Sequence, residues 1–314
     1  MMGAAEFQAI LQALSQRQLS YEEIVSLQAL LGRAPQADQC LALIEAAAGR
    51  PPCPRCTCSR CHRSGAANGL QRYRCTRCGR TFNALTGTPL ARLRLREKWL
   101  PYLQCLLEST TVRSAAERVS VAVSTGFRWR HRFIAGVRRE RLRKLSHIVE
   151  AAETYHLASQ KGSRHLTRPA RRHGAKASRP GLSKQYDCIL IARDRNRVTH
   201  DFVTGRGPIS AGQLKEHLLP VLAPEVLLIS DAAKAYSAFA QGAGITHEVV
   251  NVRAGTRARG AIHIRNVNGW HGRFQSWLQR FHGVASRYLS NYTGWQRVLD
   301  AGLPAPQWTG CASG

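Results

Sequence analysis

Two Cys-x2-Cys pairs, Cys53-Pro-Arg-Cys56 and Cys75-Thr-Arg-Cys78, stand on either side of residues 57–74. No other feature limits the fold so strongly. Each pair turns tightly enough to aim both sulfurs at one ion. Two pairs at this separation match a tetrahedral four-thiolate Zn2+ site. Gly79, just past the second pair, accepts the positive φ of such a turn at little cost. The first pair has a rival, since Cys58-Ser-Arg-Cys61 is also Cys-x2-Cys, and Cys56/Cys61 or Cys58/Cys61 could replace it. Cys53 and Cys56 are preferred because Cys-Pro-x-Cys is the usual knuckle. A structural zinc supplies on the order of 10 kcal/mol of folding energy to a ribbon with almost no core of its own. Neither pair opens a βαβ unit, which argues against redox chemistry.

Charge narrows the partner. The chain has 46 Lys and Arg against 19 Asp and Glu, a net +27. That excess calls for a polyanion. The basic residues are spread over the whole chain rather than gathered on one amphipathic helix, so nucleic acid is favoured over a membrane surface. The longest apolar stretch, residues 217–230, is broken by Pro220, Pro224 and Glu225 and is too short to span a bilayer. Glu6 precedes any basic residue, unlike a signal peptide. A cytoplasmic location is expected, and the ten Cys then read as metal ligands and free thiols rather than disulfides.

The chain reads as multidomain α+β. Residues 1–48 are helical, with Ser20-Tyr-Glu-Glu23 as a capping box. Residues 49–95 are the ribbon. Within 96–145, Trp99, Leu100, Leu103, Leu106 and Leu107 repeat at helical spacing. Thr111–Val119, a break at Ser120–Ser124 and Thr125–Phe133 then suggest a helix-turn-helix, with Arg128, Arg130 and Arg132 against DNA. The plain alternative is a helical hairpin with solvated arginines. Residues 160–185 hold Lys161, Arg171, Arg172 and other bases but no acid, and read as a loop that orders on phosphates or as a solvated linker.

Residues 146–300 alternate strand and helix: strands at Ile148–Leu157, Tyr186–Ala192 and Val198–Val203, a helix at Ser210–Ala223, a strand at Val226–Ser230, a helix at Ala232–Ala243, a strand at Thr246–Val250, and a long helix from about Asn268. The order βββ-α-β-α-β-α is that of the ribonuclease H-like fold, a mixed five-stranded sheet with flanking helices. Residues 301–314 are a tail. Asp231 closes the fourth strand, where ligands bind in open α/β sheets. From Phe202 onward the acids are only Glu216, Glu225, Asp231, Glu248 and Asp300.

These blocks resemble bacterial insertion-sequence DDE transposases with an N-terminal zinc ribbon and an ISXO-like catalytic domain. The resemblance rests on Leu70–Leu90 around the second knuckle, on Glu153-Thr-Tyr155 with Lys161-Gly162, and on Leu228–Asp231 with Lys234-Ala-Tyr236. It continues in His263-Ile-Arg-Asn-Val-Asn268-Gly-Trp-His271, Arg280–Tyr288 and Asn291–Trp295. It covers about residues 50–298. It implies an enzyme that binds double-stranded DNA at transposon ends, cuts it and transfers a strand, as a homo-oligomer associated with the nucleoid. It also implies two Mg2+ or Mn2+ ions, one activating the attacking oxygen and one stabilising the leaving oxygen. Asp231 matches the second metal ligand and Asn268 the third, although Asn268 alone also reads as a helix cap. Lys161, Arg171, Arg172, Lys234 and His271 are expected against DNA. The family writes Glu-Ala-Asp-Glu-Thr on its first strand, and this chain writes Glu150-Ala-Ala152-Glu153-Thr154. Ala152 therefore takes the place of the first catalytic Asp. Glu153 should face the other way and Glu150 lies two residues back, so impaired catalysis is expected. A decayed or domesticated DNA-binding protein is the alternative.

Overall fold

The computed structural model describes residues 36–138, 143–171, 177–178, 181–250 and 260–301. The helices expected before residue 36, the capping box at Ser20 and Arg172 lie outside the described residues. The described chain divides into two compact units, one of residues 36–110 and 114–123, the other of 111–113 and 124–301. The expected helix-turn-helix region is thus shared between them.

The first unit begins with α1 (Gln36–Ala48) and continues as an antiparallel sheet of β1 (Cys61–Ala67), β2 (Leu70–Cys75) and β3 (Thr81–Phe82). Asn68 and Gly69 join β1 to β2 with φ of 53° and 74°. Asn-Gly suits a two-residue hairpin because both positions need positive φ to match the strand twist. Gly69 has a second reason to lack a side chain: a Cβ there would lie 2.6 Å from Leu41 Cδ1 of α1. Around the knuckles the buried cluster is only Cys53, Tyr73, Cys75 and Phe82, with the two rings stacked at 5.8 Å; Leu70 and Leu85 are buried elsewhere in the ribbon. So small a core needs a staple. Farther on, α2 (Trp99–Leu107) buries Trp99, Tyr102, Cys105 and Leu106. Leu103 and Leu107, members of the expected repeat, remain exposed on its other side. Ala115 and Ala116 of α3 (Val112–Arg118) are buried.

The second unit is a five-stranded mixed sheet in the order β6-β5-β4-β7-β8. β4 (Ile148–Leu157), β5 (Tyr186–Asp194) and β6 (Thr199–Arg206) form an antiparallel meander. β7 (Leu227–Asp231) and β8 (Thr246–Val250) run parallel to β4 on its other side. Between them, α5 (Ala211–His217) opens on a capping box of Ser210 and Gln213. It ends earlier than expected, because Pro220 cannot continue an α-helix, and a short 3-10 turn, Leu219–Val221, follows.

The pleat of β4 sorts its side chains. Val149 and Ala151 join Leu190, Ala192, Leu228, Tyr236 and Phe239 in the apolar core, which α5 and α6 (Lys234–Ala243) cover. Glu150, Ala152 and Thr154 take the opposite face, under α7 (Arg265–Gln279). On that same side α8 (Leu289–Asp300) crosses β6, where Arg297 Nε donates to Asp201 Oδ1 at 2.7 Å. α4 (Val123–Arg138) packs here too: the His131 ring stacks on Tyr288 at 3.9 Å.

One contact fixes α7. Ile264 at its N-terminus offers no capping side chain, so the free amides of the first turn need a partner. Glu150 supplies it from β4. Its Oε2 accepts from Asn266 N–H at 2.8 Å and Val267 N–H at 3.0 Å, and its Oε1 accepts from Asn266 Nδ2 at 2.9 Å and from Arg195. The carboxylate is fully buried, and its charge suits the positive end of the helix dipole. Glu150→Ala would leave Arg195 and two helix amides without their acceptor. A loss of about 3 kcal/mol is expected, read as a lower urea midpoint of the sheet unit.

Candidate functional site

The four knuckle sulfurs of Cys53, Cys56, Cys75 and Cys78 all lie within 4.8 Å of one another. Cys53 Sγ is 3.6 Å from Cys78 Sγ, and Cys56 Sγ is 3.6 Å from Cys75 Sγ. Tetrahedral Zn2+ with bonds of about 2.3 Å requires sulfurs about 3.8 Å apart, so the cluster is of the right size. Cys58 and Cys61 stand outside it, their thiols directed at the carbonyls of Arg60 and Cys58. The two knuckles fold alike. Thr57 and Gly79 have φ of 56° and 67°, and their amides donate to the carbonyls of Cys53 and Cys75 at 2.9 and 3.0 Å. Amides also aim at the sulfurs. Those of Arg55 and Cys56 lower the Cys53 pKa, and the Cys78 amide, helped by that of Arg77, lowers Cys75 to about 6. Cys56 moves the other way, to about 12, with burial and the neighbouring sulfurs of Cys75, Cys78 and Cys53 raising it, so without a metal the four thiols share their protons unevenly.

The second candidate site is built on β4, on β7 beside it in the sheet, and on α7, which packs against β4. β4 and β7 pair in parallel through Val149↔Leu228 and Glu150↔Ile229. Continued two residues, that register brings Ala152 level with Asp231, on the α7 side of the sheet. Asp231 is half-buried, and its Oδ1 accepts from Ala233 N–H at 3.1 Å, holding the turn into α6. Asn268 is exposed and follows Val267, whose amide Glu150 holds. Its own N–H donates to Ile264 O at 3.1 Å, so it sits within the first turns of α7, not at the cap. α7 starts three residues before the expected Asn268 because its cap comes from β4, a source that local sequence does not reveal.

Neither acid beside Ala152 can stand in for a carboxylate there. Glu150 is committed to α7. Glu153 points to the opposite face, where it accepts from Tyr236 Oη at 2.7 Å and Tyr155 Oη at 3.3 Å. Burial pushes its pKa above the ordinary carboxylate value.

Residues 144–295 match the family model of the ISXO2-like transposase domain. They form an insertion-sequence transposase domain. The chain is also 24% identical over 243 residues to an uncharacterized protein in transposable element ISH50 of Halobacterium salinarum, covering 76% of this chain and 82% of that protein. Among solved structures, a pre-cleavage Mos1 transpososome aligns over 63% of this chain and 75% of its own, at 13% identity and a TM-score of 0.25. A Mos1 strand transfer complex aligns over 63% and 74%, at 13% identity and 0.22.

The transposase domain redistributes the basic residues expected to meet DNA. Arg130 is a correction. It is 1% exposed, with its guanidinium 5.4 Å from the Phe281 ring and 5.3 Å from Trp295. Stacked there, it cannot reach a phosphate. His271 is a second correction: it is buried, and burial pulls its pKa to about 4, so the ring is neutral. Arg128 is exposed and Arg132 half-buried. Lys234 is exposed in the first turn of α6. Lys161 Nζ donates to the carbonyls of His282 and Gly283 at 2.9 and 3.1 Å. Arg171 donates to Ala158 O at 2.8 Å.

Of the three residues expected to hold divalent ions, Asp231 would bring one carboxylate, Asn268 a neutral amide and Ala152 only a methyl, a poor donor set for a tightly held pair. Hard cations are held by carboxylate charge and several oxygens. The four cysteines, by contrast, fit zinc. Purified chain is expected to carry about one zinc per chain, measured by atomic absorption. Cys56→Ser should lose it, and Cys58→Ser or Cys61→Ser should keep it.

Proposed function

We propose that this chain is a transposase that binds double-stranded DNA at the terminal inverted repeats of its element, and that its cutting chemistry is impaired at Ala152. DNA binding is supported by the transposase domain and by the net +27, since Lys and Arg gain affinity by releasing counterions from phosphates. A ribonuclease H-like arrangement is supported by the strand order, with β4 central, an antiparallel meander on one side and parallel strands on the other. In that arrangement position 152, Asp231 and Asn268 are the three metal-ligand positions. Zn2+ on the four cysteines holds the ribbon, and Mg2+ or Mn2+ would serve the cutting reaction. The helix-turn-helix remains part of the proposal, with Arg128 and Arg132 of α4 as its DNA contacts and Arg130 turned inward. Domains at 1–48, 49–95, 96–145 and 146–300, a homo-oligomer on paired ends and a nucleoid location complete the proposal. No helix among the described residues is long and apolar enough to cross a membrane.

The observation that carries the impaired-chemistry reading is the methyl at position 152, level with Asp231, with Glu150 and Glu153 both tied elsewhere. A second reading, a DNA-binding protein descended from a transposase, is favoured by the same methyl. A gel assay on DNA carrying the element's inverted repeats separates them. Both the unaltered chain and Ala152→Asp should shift the DNA, with affinity falling steeply as salt rises. Under the first reading, Ala152→Asp cleaves with Mg2+ or Mn2+ at least about a hundredfold faster than the unaltered chain. Binding without cleavage by Ala152→Asp supports the second. Cleavage by the unaltered chain that Asp231→Ala leaves unchanged removes the assigned site.

A further inference from the structure

α7 lies along β4 in a fixed register. Val267 N–H is bonded to Glu150, and Gln275 Nε2 donates to Thr154 Oγ1 at 2.6 Å. From Glu150 to Thr154 the strand advances about 13 Å. From Val267 to Gln275 the helix advances about 12 Å. The two elements therefore stay in step, and their midpoints meet: Ala152 on the strand, His271 on the helix. Val267, His271 and Gln275 share one face of α7, being four residues apart.

The two ends of this contact are satisfied and the middle is not. Glu150 and Thr154 both reach α7. Ala152 between them is 5% exposed and has no polar atom to offer. Opposite it, His271 is 8% exposed, and its Nε2 has no hydrogen-bond partner among the described residues. A buried ring nitrogen without a partner forfeits its hydration, and such orphans are uncommon in folded proteins. We propose that His271 is a positioning residue for a short hydrogen-bond acceptor at position 152, and that alanine there leaves its Nε2 unserved. Glu150, His271 and Gln275 then form three successive ties between β4 and α7, the middle one open in this chain. With an acceptor at 152, His271 would fix its rotamer and so direct it relative to Asp231 on β7. This goes beyond the proposed function, because it concerns packing that needs neither DNA nor metal.

The test is a double-mutant cycle on the full chain, by thermal melting and without DNA or divalent metal. Ala152→Asp is made with His271 intact and together with His271→Leu. The acceptor should be better tolerated beside His271, with a coupling of roughly tenfold in the folded-to-unfolded ratio. His271→Gln, which keeps a donor, should restore part of it. Nitrogen-15 NMR of the imidazole should show Nε2 carrying a hydrogen-bonded proton in Ala152→Asp. Should the carboxylate prevent folding, Ala152→Asn supplies a neutral acceptor for the same cycle. Equal losses of Tm in both backgrounds, or imidazole shifts that ignore the side chain at 152, overturn the proposal. Failure of the gel assay leaves this result standing, so the two ideas fall separately.

Discussion

Everything at the second site hangs on a carboxylate that is not a ligand. Glu150 is fully buried and accepts from two amides at the start of α7, from the Asn266 side chain and from Arg195. A buried charge is costly unless it is fully bonded, and here several donors converge on it. The return is position rather than stability. Without that cap, α7 would have no fixed start, and neither Asn268 nor His271 would have a defined height along β4. One strand thus carries two acidic residues with unrelated tasks. Glu150 sets a helix on one face, and Glu153 ties to Tyr236 on the other.

Much of this is legible in the sequence. β4 and β8 have the expected bounds. Spacing alone leaves Cys58 and Cys61 as rivals; the sulfurs that lie together are those of Cys53, Cys56, Cys75 and Cys78, the pairs preferred for Cys-Pro-x-Cys. Alternation along β4 separates Glu150 from Glu153 on the sequence alone. The parts that stay hidden have physical reasons. Arg128, Arg130 and Arg132 read as one DNA-facing set, yet residues two apart on a helix point about 200° apart. One of them had to face inward. Arg130 does so over Phe281 and Trp295, partners far along the chain that no local window connects to it. The real start of α7 is hidden for a similar reason, because its cap is borrowed from another element.

The two units rely on different physics. The sheet unit has an apolar core of Leu, Val, Ile, Tyr and Phe between strands and helices. The ribbon has two aromatic rings and a cluster of sulfurs. A metal on its four knuckle cysteines would replace the buried area that so short a sheet cannot provide. That division matches the chemistry. The soft thiolates suit an ion that never leaves, while a site meant for Mg2+ needs hard oxygens, and at position 152 this chain has none.

The turn at Asn68-Gly69 has a practical meaning for anyone handling this protein. A hairpin tip is the ordinary place to graft an epitope, a fluorophore or a fusion partner. This tip is not free, because Gly69 holds a φ of 74° and a Cβ there would lie 2.6 Å from Leu41 Cδ1, which would have to swing aside. Gly65 on β1 is exposed with open space around it, yet its φ of 70° also favours glycine, so neither position takes a side chain without backbone strain.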